Sequence, residues 1–322
     1  MRVIAARGIH ARFDAGCGHL PGLVIDGVPV LWSAPWRDDP GMQADGTIPM
    51  VERRLGGSFA CAPFGRDDVD GGPPHGAVAN APWQVTRHGP SSLTARCGFV
   101  RGAIETRLAV RDGHPVLYRI DTLDLTAPYT FALHPMLDVA GGARLSGPVR
   151  TALTFAAESP VFDPGAREAG WGPFADYPDR TCEEFVTVIH APGLVWTAVA
   201  RAGHGDTILF LKQAGQLPMT NLWMSNGART GVPWHGARGI LGVEDAICAG
   251  AEGFAAALAG RGRVADEGVL THLPPGRHVI PTAILRMTGL HRVTGLTVAA
   301  DGLTVTTPEG SQDVPFESGH FA

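Results

Sequence analysis

The apolar run Gly239-Ile240-Leu241-Gly242-Val243 closes on one carboxylate, Glu244, before Asp245 and a tract rich in glycine and alanine. A strand that delivers a single acid to its end is a natural seat for a general base. Taken alone, such a glutamate is ordinarily solvated, because acidic side chains are mostly exposed. Three other stretches give it company. The first runs from Gly56-Gly57-Ser58-Phe59 through Cys61-Ala62-Pro63-Phe64-Gly65-Arg66 to His75-Gly76 and Asn80-Ala81-Pro82-Trp83. The second is Phe131-Ala132-Leu133-His134-Pro135-Met136-Leu137. The third, Thr220-Asn221-Leu222-Trp223-Met224-Ser225-Asn226-Gly227, just precedes the Glu244 run. Each has a bland reading. His134 before a proline can simply end a strand, and His75 in Pro-Pro-His-Gly can be a turn residue. Arg54 and Arg66 can be surface arginines, and Trp223 and Asn226 can be packing or turn residues.

The elements that must position these groups read as β-strands. Asp-Gly pairs at 26–27, 112–113 and 301–302 each separate two extended segments. Asp-Gly tolerates the positive φ angles of a type I′ turn, whose twist matches the strands it joins. Leu93, Ala95, Cys97 and Phe99 alternate with polar neighbours, as do Val116, Tyr118 and Ile120 with Arg119 and Asp121. Phe185–Ile189, Leu194–Val199 and Thr207–Leu211 read as more complete apolar runs, as in strands covered on both faces. Only Ala251–Leu258 has helical character. No repeat and no alternation of strand and helix is visible, so the expected fold is all-β, one large antiparallel β-sandwich over residues 1–322. Residues 145–182 form its least regular part, broken by Pro160, Pro164, Pro173 and Pro178. The aromatics of this excursion (Phe155, Phe162, Trp171, Phe174, Tyr177) can line a pocket or pin the loop.

Composition narrows the partners. The 322 residues carry a net charge of −5 and no block of lysine or arginine, so nucleic acid and anionic membrane have no electrostatic footprint. The five cysteines are far apart and form no Cys-x-x-Cys pair, which argues against a disulfide framework and a zinc site. His75, His134 and His235 lack metal-ligand spacing, and no metal is expected. The first sixteen residues contain no apolar run suited to a signal peptide or membrane span. The expected setting is cytoplasmic, as a monomer or homodimer with a small neutral ligand.

On these stretches the sequence resembles the aldose 1-epimerases of the galactose mutarotase-like superfamily. Gly-Gly…Pro-Phe-Gly…His-Gly…Pro-Trp is similar to the family's first sugar-binding segment. Leu133-His134-Pro135 resembles the strand of its catalytic acid, and Gly242-Val243-Glu244 that of its base. Glu267-Gly268…Leu273-Pro274-Pro275-Gly276-Arg277-His278 resembles its closing segment. The resemblance runs patchily from about residue 16 to about 286. It implies a β-supersandwich with a sugar site on a concave sheet face.

The chemistry such a site needs matches the residues. Opening a cyclic hemiacetal requires one proton to reach the ring oxygen while another leaves the anomeric hydroxyl. An imidazole and a carboxylate can divide these roles near neutral pH. The resemblance assigns His134 as general acid and Glu244 as general base, with no cofactor. His75, Arg66 and Arg54 would bind sugar hydroxyls, Trp223 would stack on the ring, and Asn226 would complete the contacts. Galactose-type members carry an aspartate between acid and base. Here that region offers Lys212, Gln213 and Asn221, and Lys212 is the substitute expected to touch substrate. The competing expectation is a non-catalytic carbohydrate-binding or regulatory protein on the same scaffold. A glycosidase would want paired carboxylates, and only one acid is well placed.

Overall fold

Period-two alternation becomes layers of antiparallel sheet. The computed structural model describes residues 1–155, 174–300 and 302–322. Its largest sheet has nine strands, in the order Phe174–Asp176, Ala143–Ser146, Leu194–Arg201, Asp206–Gln213, Gly276–Thr288, Val116–Leu125, Gly102–Ala109, Ser92–Phe99 and Gln84–His88. The second has seven, in the order Thr151–Thr154, Cys182–Ile189, Met219–Asn226, Ile240–Ile247, Phe131–Leu133 and Ala60–Cys61, with Met136–Asp138 also paired to Ile240–Ile247. A four-stranded sheet at the amino end and a three-stranded sheet at the carboxy end complete the described strands. This is the expected antiparallel sandwich class.

Side-chain alternation decides what each layer buries. Ile208 and Phe210 enter one core with Leu222, Leu241 and Val243, between the two large sheets. Leu209 and Leu211 point the other way, into a second core with Leu303, Val305 and Val314 of the carboxy-terminal sheet. The nine-stranded sheet is thus covered on both faces, which is why its central strands read as continuous apolar runs. Three polar residues buried on it are paired: Arg119 Nε donates to Asp121 Oδ2 at 2.7 Å, and Thr106 Oγ1 donates to Asp121 Oδ1 at 2.5 Å.

The turn signals hold where they are described. Asp26 and Gly27 both take positive φ, 51° and 77°, in a two-residue hairpin with Ile25 opposite Val28. At the second pair only Gly113 does so, at 73°. Asp301 lies outside the described residues, although Ala299 pairs with Gly302 across that turn. Cys97 is buried with Leu93 and Ala95, as their alternation requires.

Two expectations need correction. The irregular excursion is shorter than 145–182. Ala143–Ser146 and Phe174–Asp176 pair with each other, and Thr151–Thr154 pairs with Cys182–Ile189. Phe162, Trp171 and the prolines at 160, 164 and 173 fall outside the described residues. Tyr177 pins the chain, donating to the carbonyls of Ser225 and Ile240 at 3.1 Å each. Helices also occur beyond the expected one, now Phe254–Leu258. Pro40–Ala44, Met50–Arg53 and Arg263–Asp266 span four or five residues, too few to show a 3.6-residue period. No helix among the described residues is long and apolar enough to cross a membrane.

Candidate active site

Glu244 owes its placement to strand geometry. Along Ile240–Ile247, Leu241, Val243 and Ile247 face the core between the large sheets, while Ile240 and Ala246 join a separate core on the other face. Glu244 shares the second face and is 1% exposed. The neighbouring strand is interrupted at His134-Pro135, where proline has no N–H for the ladder. Register is kept across the break, with Ala132 opposite Ala246 and Met136 opposite Gly242. His134 therefore stands directly across from Glu244, and His134 Nε2 lies 2.9 Å from Glu244 Oε1. The backbone supports the break, His134 N donating to Phe59 O at 2.8 Å and Val243 N to Pro135 O at 2.9 Å.

The His134 ring is held from three sides. It stacks on Phe59 at 4.6 Å and meets His75 and Trp223 edge-on at 5.3 and 5.7 Å. Phe59 is stacked in turn on His19 at 4.7 Å. His19 hangs between the carbonyls of Arg54 and Ala79, at 2.9 and 3.0 Å. His75 sits in a tight turn at φ 62°, followed by Gly76 at φ 73°. A Cβ on Gly76 would lie 1.8 Å from the Ala62 carbonyl oxygen, so only glycine fits there. Burial, reinforced by His134, His19 and Arg229, pushes the His75 pKa down to about 3, which keeps its ring neutral.

These groups border a cavity of about 420 Å³, within the usual range of roughly 300–1,000 Å³ for small-molecule sites. Phe59, Phe64 and Phe185 supply apolar wall, and His75, His134 and Glu244 supply polar atoms. His75 Nδ1, His134 Nδ1 and Glu244 Oε2 are buried and without a hydrogen-bond partner in the protein. Buried polar groups are rarely left so. All three residues line the cavity.

Trp223 and Arg229, which also line the cavity, are tied together by Glu183. It accepts from Trp223 Nε1 at 2.7 Å, Arg229 Nε at 2.7 Å and Ser225 Oγ at 3.2 Å. Arg229 lies over the Trp223 and Trp234 rings at 5.2 and 4.9 Å, as cation–π contact favours. Trp234 Nε1 donates to Glu52 Oε1 at 2.6 Å.

Of the expected site residues, His134, Glu244, His75, Trp223 and Arg66 come together around this cavity. Arg66 is largely exposed and lies 3.5 Å from Asp68. Arg54, Asn226 and Lys212 do not reach the cavity. Arg54 bonds Gln43 Oε1 at 2.8 Å and Asp14 at 3.2 Å. Asn226 closes a turn, donating to the Pro178 and Arg180 carbonyls and accepting from Gly239 N. Lys212 belongs to the nine-stranded sheet and points into the layer between the sheets, where it meets Asp245 at 2.8 Å. His235 does not line the cavity, and no group of three or more His, Cys, Asp or Glu among the described residues could hold a metal ion.

Glu52, Glu183, Arg229 and Trp234 join the site without having been expected. Glu183 alternates with Phe185, the first residue of a run read as largely apolar, which was the available signal. Trp234 and Arg229 sit in the loop between two site strands, and nothing local marks that loop as a cavity wall.

No family profile and no curated relative matches the chain. Solved structures do. A candidate aldose 1-epimerase from Escherichia coli K12 superposes with a TM-score of 0.64 at 14% identity, over 89% of this chain and 98% of that one. A candidate mutarotase from Salmonella typhimurium gives 0.63 at 15% identity, over 89% and 90%. A galactose mutarotase-like protein from Lactobacillus casei gives 0.55 at 15% identity, over 89% and 100%. The chain has the galactose mutarotase-like fold.

Proposed function

We propose that the chain is an aldose 1-epimerase-like enzyme that exchanges the α and β anomers of a sugar. The observation that carries this reading is the His134–Glu244 pair, 2.9 Å apart at directly opposed strand positions, each with its other polar atom unbonded. The two oxygens that must be served in hemiacetal opening sit on one carbon. An acid and a base that act on them together must therefore stand within reach of each other.

Glu244 takes the proton of the anomeric hydroxyl as protonated His134 gives one to the ring oxygen. The bond from the anomeric carbon to the ring oxygen breaks, and its electron pair goes to the ring oxygen. Electrons from the deprotonated hydroxyl form the aldehyde carbonyl. One proton enters and one leaves, so the sugar stays neutral overall. Rotation about the first carbon–carbon bond presents the other aldehyde face, and closure runs the transfers in reverse. Neutral His75 and the Trp223 ring, both lining the cavity, hold the sugar. Hydrolytic chemistry with paired carboxylates fits less well, because Glu183 is engaged by Trp223 and Arg229 and Glu52 by Trp234.

NMR exchange spectroscopy of anomers over a panel of aldoses tests the proposal. Accelerated interconversion of at least one sugar is expected. Failure for every sugar, with binding retained, would leave a carbohydrate-binding protein on the same scaffold.

A further inference from the structure

The acid that follows the proposed base is also buried. Asp245 is 4% exposed and faces away from the cavity, into the layer between the two large sheets. Lys212 crosses that layer from the Asp206–Gln213 strand of the opposite sheet and is 1% exposed. Its ammonium meets Asp245 Oδ1 at 2.8 Å, Thr220 Oγ1 at 2.8 Å and the Met219 carbonyl. Thr220 Oγ1 donates onward to Asp245 Oδ1 at 2.8 Å. Lysine has three donors, and each has its own acceptor.

All three acceptors lie on the two strands that carry Trp223 and Glu244. Thr220 is the register partner of Asp245, and the next pair along is Asn221 with Glu244. Lys212 is thus tied to the register pair immediately beside the base. An ion pair in an apolar layer is costly to desolvate, and well-packed apolar residues of similar volume are often as stable or more so. Stability alone gives no reason for it here. Its evident effect is to fix one strand against the other at a single point, and Lys212 also balances the charge next to Glu244.

We propose that Lys212 and Asp245 are positioning residues, which hold the Ile240–Ile247 strand so that Glu244 stays within hydrogen-bond reach of His134. The proposal rests on the enzymatic reading above for its kinetic readout, and on geometry alone for its spectroscopic one. Neither residue lines the cavity, so neither contacts the sugar.

The test is the double variant Lys212→Met/Asp245→Leu, which removes both charges and keeps similar volume; either single change would strand a buried charge. Its melting temperature should match or exceed the parent's. Its kcat for anomer exchange should fall at least tenfold with KM within about twofold, and the His134 ring ¹⁵N resonances should move toward those of Glu244→Gln. A folded double variant with parental kcat and unmoved His134 resonances would overturn the proposal. If the parent protein exchanges no sugar, the enzymatic reading fails, while the His134 resonances still decide the positioning role.

Discussion

Trp223 Nε1 donates to Glu183 Oε1 at 2.7 Å, and both residues sit on the cavity face of adjacent strands. One buried carboxylate thereby fixes the indole proposed to stack on the sugar and the Arg229 guanidinium above it. Glu183→Ala should leave these donors without their acceptor, lower stability by roughly 2 kcal/mol and raise KM more than it lowers kcat. Denaturant melts and steady-state kinetics measure the two effects. A parental KM would remove Glu183 from the binding wall.

Glu244→Gln keeps the shape of the side chain and removes the base. It should abolish anomer exchange while sugar binding, followed by calorimetry, stays close to parental. Unchanged turnover would take Glu244 out of the mechanism.

His134→Ala should slow exchange on the order of a hundredfold or more, as expected for loss of a positioned general acid. The melting curve separates this from a merely structural role. If stability falls and the rate per folded molecule does not, the imidazole is only packing.

Gly76→Ala should cost about 3 kcal/mol, since the methyl would meet the Ala62 carbonyl oxygen at a backbone angle that favours glycine. The same change should displace His75 and weaken sugar binding. A parental melting temperature would show that the turn relaxes freely.

Acid should destabilise the fold through buried histidines. Burial pushes His75 and His190 down to about 3, the latter helped by Lys212. Both rings regain an ordinary pKa near 6.5 on unfolding, so the unfolded chain binds more protons at low pH. Their contribution is fully present above about pH 6.5 and is lost as the pH falls toward 3. Melting temperature should therefore drop between pH 7 and pH 4, and less steeply in His190→Gln. Equal slopes would exclude His190 as a source.

Much of this architecture was legible in the chain itself. Alternation at Leu93–Phe99 and the Asp26-Gly27 turn announce antiparallel sheet because side chains on a pleat must take turns facing the core. That Glu244, His134 and His75 would lie together was legible in short motifs that keep their order along the chain. Lys212 was misjudged because the sequence shows that a cation sits on a strand but not which face of which sheet it occupies. One residue of alternation separates the cavity from the interlayer. Arg229 and Trp234 escaped for a different reason: they sit in a loop, and the hydrogen bonds that tie them to Glu183 and Glu52 span 46 and 182 residues and leave no periodic trace.

The stack of His19, Phe59 and His134 has a consequence for how the molecule can be cut. His19 opens the His19–Ile25 strand of the amino-terminal sheet, which gives the cavity none of its lining residues. Yet the His134 ring rests on Phe59, and Phe59 rests in turn on His19. The first 25 residues are in that sense part of what supports the proposed acid. Deletion of this sheet, or its exchange for that of a relative, would carry away the orientation of the acid even if every residue touching the sugar were kept.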